Sequence, residues 1–196
     1  MPKVTDEYRE ARRDEIALAA IRCLERDGVR ETSIADIVAE SGLSTGAIYS
    51  HFTNKAELAR YIVSRFLMVR LDELEADGLA DVVVAPRDTL LAMLGVFTET
   101  GLSPALVVQF WGEAMVDAEL KAEMARTAAK LGHALTIAVL PWARTRTGSR
   151  AEAARLAEQT ARTLTALAQG YMANSAVFGR RDPEEYVESA ASTLSA

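Results

Sequence analysis

Residues 42–55 read GLSTGAIYSHFTNK, and their reading decides the fold. Gly42 admits a left-handed backbone and so marks a tight turn. Leu43 is an apolar plug, and Ser44 is a helix cap. The helix predicted over 44–50 has an outer face of Ser44, Thr45, Gly46, Ala47 and Ser50 only, while Ile48 points the other way. Such a face lets the backbone come close to another surface. Tyr49, His51 and Lys55 then offer a hydroxyl, an imidazole and an ammonium group. Lys55 opens the next helix, where free backbone N–H groups and the helix dipole attract anions. A short helix is predicted just before the turn, over 33–40, with Thr32 or Ser33 as its cap and Ile34, Ile37 and Val38 inside. Two short helices joined by a four-residue turn form a helix-turn-helix unit. The second helix of such a unit lies in the DNA major groove with its early residues near base edges. On pattern alone, an ordinary helical hairpin with a polar exposed side remains open.

Outward from this unit the helical signals continue. Ile16, Ala20, Cys23 and Leu24 share one face of a helix over 5–27, with Gly28 as its stop. Asn54 and Glu57 form a capping box for a long helix with Leu58, Ile62, Phe66 and Val69 as its stripe. Gly78 and Pro86 bracket a loop. Further helices are expected over 86–100, 104–116, 117–146, 150–179 and from Asp182 onward, with Pro141 kinking the third or ending it early. The fold class is therefore all-α with about nine helices and a seam near residue 54.

The chain has 196 residues, 49% of them hydrophobic, enough to bury a core. Its net charge is −6. Residues 1–60 carry 9 basic and 11 acidic side chains, a balance of −2. Any contact with nucleic acid must then come from a local cluster, since DNA-binding proteins usually present a basic face. The N-terminus lacks the apolar stretch of a signal peptide, and no apolar run reaches the length of a membrane span. One cysteine, Cys23, excludes an internal disulfide, reads as a small core residue and fits a reducing cytoplasm. Two distant histidines and one thiol give no nucleophile–base pair and no metal spacing, so neither catalysis, metal nor cofactor is expected.

The stretch TSIADIVAESGLSTGAIYSHFTNKAEL, with the helix before it, resembles the DNA-binding domain of the TetR family of bacterial transcriptional regulators. The likeness covers about residues 12–60. It rests on Thr32, Ile34, Ala35 and Ile37, on Ser41-Gly42-Leu43-Ser44, and on the series Tyr49, His51, Phe52, Lys55, Leu58. Gly46 departs from it, since relatives often carry proline there. The resemblance implies a DNA-binding domain over 1–54 and a ligand-sensing, dimerising domain over 55–196. It implies base contacts from Thr45, Gly46, Ala47 and Ser50, and phosphate contacts from Thr32, Tyr49, His51 and Lys55. Lys3, Arg9, Arg12 and Arg13 either reach the DNA or form a solvated face with their acidic neighbours.

In the second part, FWGEAMVDAELKAEM (110–124) is similar to one widespread version of the family's sensor domain. Phe66, Met93, Phe97, Phe110, Trp111, Met115 and Trp142 are candidates to line a ligand pocket, with His133 and Tyr171 to orient the ligand; core packing is the competing role for each. Leu164, Leu167, Tyr171, Val187, Ala190 and Leu194 are candidates for a homodimer interface, and Ala153, Ala157 and Thr160 form a second, small-residue face. The expected partners are a double-stranded DNA operator, a small, mostly apolar effector and a second copy of the chain, with no membrane. The expected activity is that of a repressor released by its effector. The alternatives are an activator or a regulator controlled by a protein partner, and a helical interaction module or enzyme without DNA binding.

Overall fold

Caps written into the sequence set most of the element boundaries. Ser33 accepts a hydrogen bond from Asp36 N, and Asp36 accepts one in return from Ser33 N at 2.7 Å, a closed capping box. Ser44 accepts from Ala47 N at 3.2 Å, and Asn54 accepts from Glu57 N at 2.8 Å. Ser103, Asp117 and Ser149 cap three further helices in the same way. The computed structural model describes residues 6–67, 69–99, 102–179 and 181–194; the side chains of 67, 69–71 and 191–194 lie outside the description. Lys3 and the side chains of Val69, Ala191 and Leu194 therefore fall outside the described residues.

Ten α-helices follow in order: α1 (Asp6–Asp27), α2 (Ile34–Ser41), α3 (Thr45–Tyr49), α4 (Lys55–Ile62), α5 (Val69–Leu79), α6 (Pro86–Glu99), α7 (Pro104–Ala114), α8 (Ala118–Arg144), α9 (Arg150–Phe178) and α10 (Pro183–Leu194). No strand occurs among the described residues. Among the described residues the count is one more than the roughly nine expected, because the long helix after Asn54 is not one element. A π-helical segment, Val63–Leu67, interrupts it. The wider turn resets the register, so that Ile62 and Val63 are both buried while Arg65 reaches back to Asp14.

Two further expectations change. Pro141 does not end α8, which runs on to Arg144. Pro141 leaves the Ile137 carbonyl without an N–H partner four residues on. That stretch of backbone faces Gly78, which sits in the last turn of α5 rather than in a loop. A Cβ on Gly78 would lie 2.6 Å from the Ile137 carbonyl carbon and 2.7 Å from Ala138 Cα, so only glycine lets α5 and α8 approach this closely.

The core runs through the whole chain. Ile16, Ala20, Cys23, Leu24, Ile37, Ile48, Phe52, Leu58 and Ile62 hold the first four helices together. Leu94, Leu106, Leu135 and Val139 continue it through α6, α7 and α8. Ala153, Ala157, Ala161, Leu164 and Ala168 bury one side of α9, and α8 and α9 form the most extensive helix pair. The small-residue face of Ala153 and Ala157 thus belongs to the intrachain core and not to a dimer contact.

Candidate nucleic-acid interface and effector cavity

A five-residue helix is too short to be stable alone. α3 is held by its ends and by one anchor. Ile48 is fully buried, worth about 1.5–3 kcal/mol for a side chain of this size. The turn before it is fixed by Gly42, whose φ of 68° is left-handed and whose N–H donates to the Val38 carbonyl at 3.0 Å. Thr45, Gly46, Tyr49 and Ser50 are exposed on the outer side and Ala47 is half-buried. Nothing lies within 4 Å of a Cβ built on Gly46, so this face is open. The Ser50 hydroxyl currently donates to the Ala47 carbonyl at 2.7 Å.

A cationic cluster flanks this face. His51 is half-buried, and burial lowers its pKa first; the charges of Arg13, Arg12 and Arg9 lower it further. Both effects favour the neutral imidazole, beside three guanidinium groups from α1. Arg13 is sandwiched between Phe52 and Tyr61, 4.5 and 4.6 Å from their ring centres, and hydrogen-bonds Glu57 at 3.5 Å. Arg12 pairs with Glu15 at 2.6 Å. Arg9 is exposed without a partner among the described residues. On the far side of α1 the arginines are already committed: Arg22 and Arg26 both pair with Glu40, at 2.6 and 3.2 Å.

The cluster is braced from behind. Tyr61 donates to Asp14 at 2.7 Å and Arg65 adds three contacts at 3.0, 3.1 and 3.3 Å. Burial pushes the Asp14 carboxyl up, but these hydrogen bonds outweigh it and hold the group below its ordinary value. Burial and the Asp14 bond push Tyr61 up to about 12.

Two expected phosphate residues face inward instead. Thr32 is buried and its hydroxyl donates to the Gly28 carbonyl at 2.8 Å, so it closes the loop before α2 rather than meeting solvent. Lys55 is half-buried and its ammonium donates to the Val29 carbonyl. Burial lowers its pKa, with Glu113 and Glu31 pulling it back up. Lys55 points into a cavity of about 130 Å³ between α1, α2 and α4 on one side and Phe110, Glu113 and Leu120 on the other.

A second cavity, of about 140 Å³, lies between the π segment and α6–α9. Met93, Phe97, Phe110 and Trp111 line it as expected. The other aromatic and polar candidates do not. Phe66 packs half-buried against the core, and Met115 is 82% exposed in the turn after α7. His133 is exposed on the outer side of α8. Trp142 faces a surface groove under the Arg146 guanidinium, 4.9 Å from its ring. Tyr171 is fully buried between Phe97 and Tyr186, and its hydroxyl donates to the Arg181 carbonyl at 2.9 Å. The lining also includes Val63, Met124, Thr127, Thr165, Gln169 and Met172, which a search for aromatics passes over. The spacing of Thr165, Ala168, Gln169 and Met172 on one face of α9 is the signal that marks them.

Three of the dimer candidates are used up inside the chain: Leu164, Tyr171 and Val187 are at most 4% exposed. Leu167 and Ala190 remain partly open along the same surface groove as Trp142.

Among the described residues no group of histidine, cysteine or acidic side chains could hold a metal ion, and no single helix is long and apolar enough to cross a membrane. Residues 16–62 match the family described as "Bacterial regulatory proteins, tetR family". The chain is 38% identical over 74 residues to the HTH-type transcriptional regulator YfiR of Bacillus subtilis, covering 38% of this chain and 36% of that protein. It is 38% identical over 73 residues to the nicotine-responsive transcriptional repressor HdnoR of Paenarthrobacter nicotinovorans, covering 36% of this chain and 38% of that protein. These matches span less than half the length of either relative. The fold of the whole chain is similar to a tetR-family structure from Mesorhizobium loti, with a TM-score of 0.72, 17% identity and 95% of each chain covered. A second one, from Rhodococcus, has a TM-score of 0.66 and 20% identity over 94% of this chain and 96% of that one. A buried three-helix start with an open, capped α3 and a family match over that same stretch lead to one conclusion: residues 16–62 form a domain of the kind found in the tetR family of bacterial regulatory proteins, and the chain as a whole shares the fold of tetR-family structures.

Proposed function

We propose that the protein is a homodimeric transcriptional repressor that binds a palindromic DNA operator and leaves it when a small apolar molecule enters the cavity between the π segment and α6–α9. The observation that carries this reading is the outer face of α3: small, exposed and polar, anchored by Ile48 and flanked by His51 and the α1 arginines. Thr45, Gly46, Ala47 and Ser50 meet base edges. Tyr49, His51 and Arg9 meet phosphates. One such unit reads only a few base pairs, so two copies are needed, with half-sites about 34–36 Å or a multiple apart. Residues 1–54 serve as the DNA-binding unit and 55–196 as the sensing and pairing unit, acting in the cytoplasm. The two copies meet through the outer sides of α9 and α10, where Leu167 and Ala190 are partly open and Val177 and Phe178 are 70% and 77% exposed. That HdnoR is a nicotine-responsive repressor supports both repression and a small effector.

The coupling has a physical route. Phe110 lines both the effector cavity and the cavity holding Lys55. A ligand that displaces Phe110 disturbs the seat of α4 and the loop before α2 together. The run of α4, the π segment and α5 is a secondary path. The required coupling is modest, about 1–3 kcal/mol. The test is a gel shift with duplex DNA from the region upstream of the gene, together with light scattering. A retarded complex and a mass twice 21.2 kDa are expected. No shift at any DNA, or a monomer at micromolar concentration, refutes the reading.

A further inference from the structure

The effector cavity has no titratable side chain in its lining. An ion placed there would lose its hydration with no charge to replace it, which is strongly unfavourable. The hydrogen-bonding side chains of the lining are four: Trp111 on α7, Thr127 on α8, and Thr165 and Gln169 on α9. The α6 wall contributes only Met93, Leu94, Val96 and Phe97. The polar groups thus gather toward α8 and α9. Thr127 and Gln169 have no hydrogen-bond partner among the described residues. Thr165 spends its hydrogen on the Ala161 carbonyl at 2.9 Å and keeps its lone pairs as acceptors.

A neighbouring cleft of about 360 Å³ lies between α8 and α9. It shares Ala128, Thr165 and Gln169 with the effector cavity, so the two spaces adjoin along these residues, of which Gln169 carries the only amide side chain. The cleft is polar at its outer side, where Glu158 and Arg162 stand 3.9 Å apart. It offers a way in from solvent, with Gln169 at the threshold.

We propose that the ligand is a neutral molecule with an apolar body and one hydrogen-bonding end, of the ketone, ester or amide class, and that the Gln169 amide selects it by donating to that end at the α8–α9 threshold. The apolar body occupies the space walled by α6 and α7. A void of about 150 Å³ lined by apolar side chains takes up a benzene-sized molecule, so a single aromatic group fits the inner cavity of about 140 Å³. The polar end then stays near Gln169 and Thr127, neither of which is committed to a hydrogen bond within the described residues. An unpaired carbonyl in the inner cavity would be disfavoured, and this fixes the direction of entry.

This inference rests on the reading of the cavity as a ligand site. It is tested with three single-ring probes of matched shape: acetophenone, isopropylbenzene and benzoate. Calorimetry on the full-length protein should show the ketone binding about fivefold tighter than the hydrocarbon, as expected for one net hydrogen bond, and the carboxylate binding too weakly to detect. The preference should fall toward unity in Gln169→Leu or Thr127→Val while the hydrocarbon's own affinity holds or improves. Equal affinity for ketone and hydrocarbon overturns the proposal. So does a preference that survives in both variants, tight binding of the benzoate, or no binding of any probe. The effector reading is judged separately by adding the same probes to a DNA complex. A ketone preference without DNA release supports the selection at Gln169 and refutes the effector reading. DNA release without a ketone preference does the reverse.

Discussion

Gln109 Oε1 accepts a 2.8 Å hydrogen bond from the backbone N–H of Val29, joining the middle of α7 to the loop that positions α2. A second bond lies beside it: Ser103 N donates to Glu25 at 2.9 Å. The helix that walls the apolar cavity is thereby tied to the helix-turn-helix unit without passing through α4. Val29 is buried, so its N–H has few other partners. Gln109→Leu should lower stability by about 1–3 kcal/mol, the cost of an unsatisfied buried donor. Urea unfolding checks this, and a loss below about 0.5 kcal/mol would mean that water or a loop shift replaces the bond.

DNA affinity should depend on pH through His51. Its pKa in the free protein lies below the ordinary 6.5, pressed down by burial and by Arg13, Arg12 and Arg9. A nearby phosphate favours the charged imidazole and raises that pKa. Binding then takes up a proton, so affinity should rise as pH falls from about 7.5 to about 5.5. Folding runs the other way: a histidine with a lowered pKa in the folded state contributes stability above pH 6.5 that is lost below it. Binding must accordingly be read on protein shown to be folded at each pH. In His51→Gln the rise in affinity should vanish; an unchanged pH profile would remove His51 from the interface.

Gly78→Ala should destabilise the fold by about 1–3 kcal/mol, typical of forcing an extra carbon into a packed contact. Alanine is normally the better helix former, by about 1 kcal/mol, so the sign itself is diagnostic. A variant that melts at or above the parent temperature would show that α5 can move away from Ile137 without cost.

Much of the DNA-binding unit was legible because its signals are local. Ser33, Gly42, Ser44 and Asn54 act on backbone groups within four residues, and each does what its type and position predict. What was not legible depends on partners far away in sequence. Lys55 turns inward because the Val29 carbonyl, 26 residues earlier, is within reach. Thr32 is buried by the closure of its own loop on Gly28. Tyr171 looks like a pocket or interface residue on a helical stripe, yet Phe97 and Tyr186 enclose it. The π segment is invisible to a search for a 3.6-residue period, because the apolar stripe stays nearly continuous through it. Gln169 was missed because a polar side chain on a mostly solvated face reads as surface.

Base and phosphate contacts should separate in mutants. Arg9→Ala should weaken binding to all duplexes alike and reduce the salt slope by about one unit. Thr45→Ala should instead alter preference at one position in each half-site, by about 1–3 kcal/mol if a good base contact is lost. An Arg9 variant with unchanged slope, or a Thr45 variant that selects the same operator with equal stringency, would reverse those assignments.

The most direct measurement is selection of duplex DNA from a random library by the full-length protein, followed by affinity titration of the enriched sequence. A two-fold symmetric sequence should emerge, with half-sites about 10 base pairs or a multiple apart, bound at least about a thousandfold more tightly than random DNA. Enrichment of no sequence, or of one without two-fold symmetry, would contradict a dimer that reads DNA through α3.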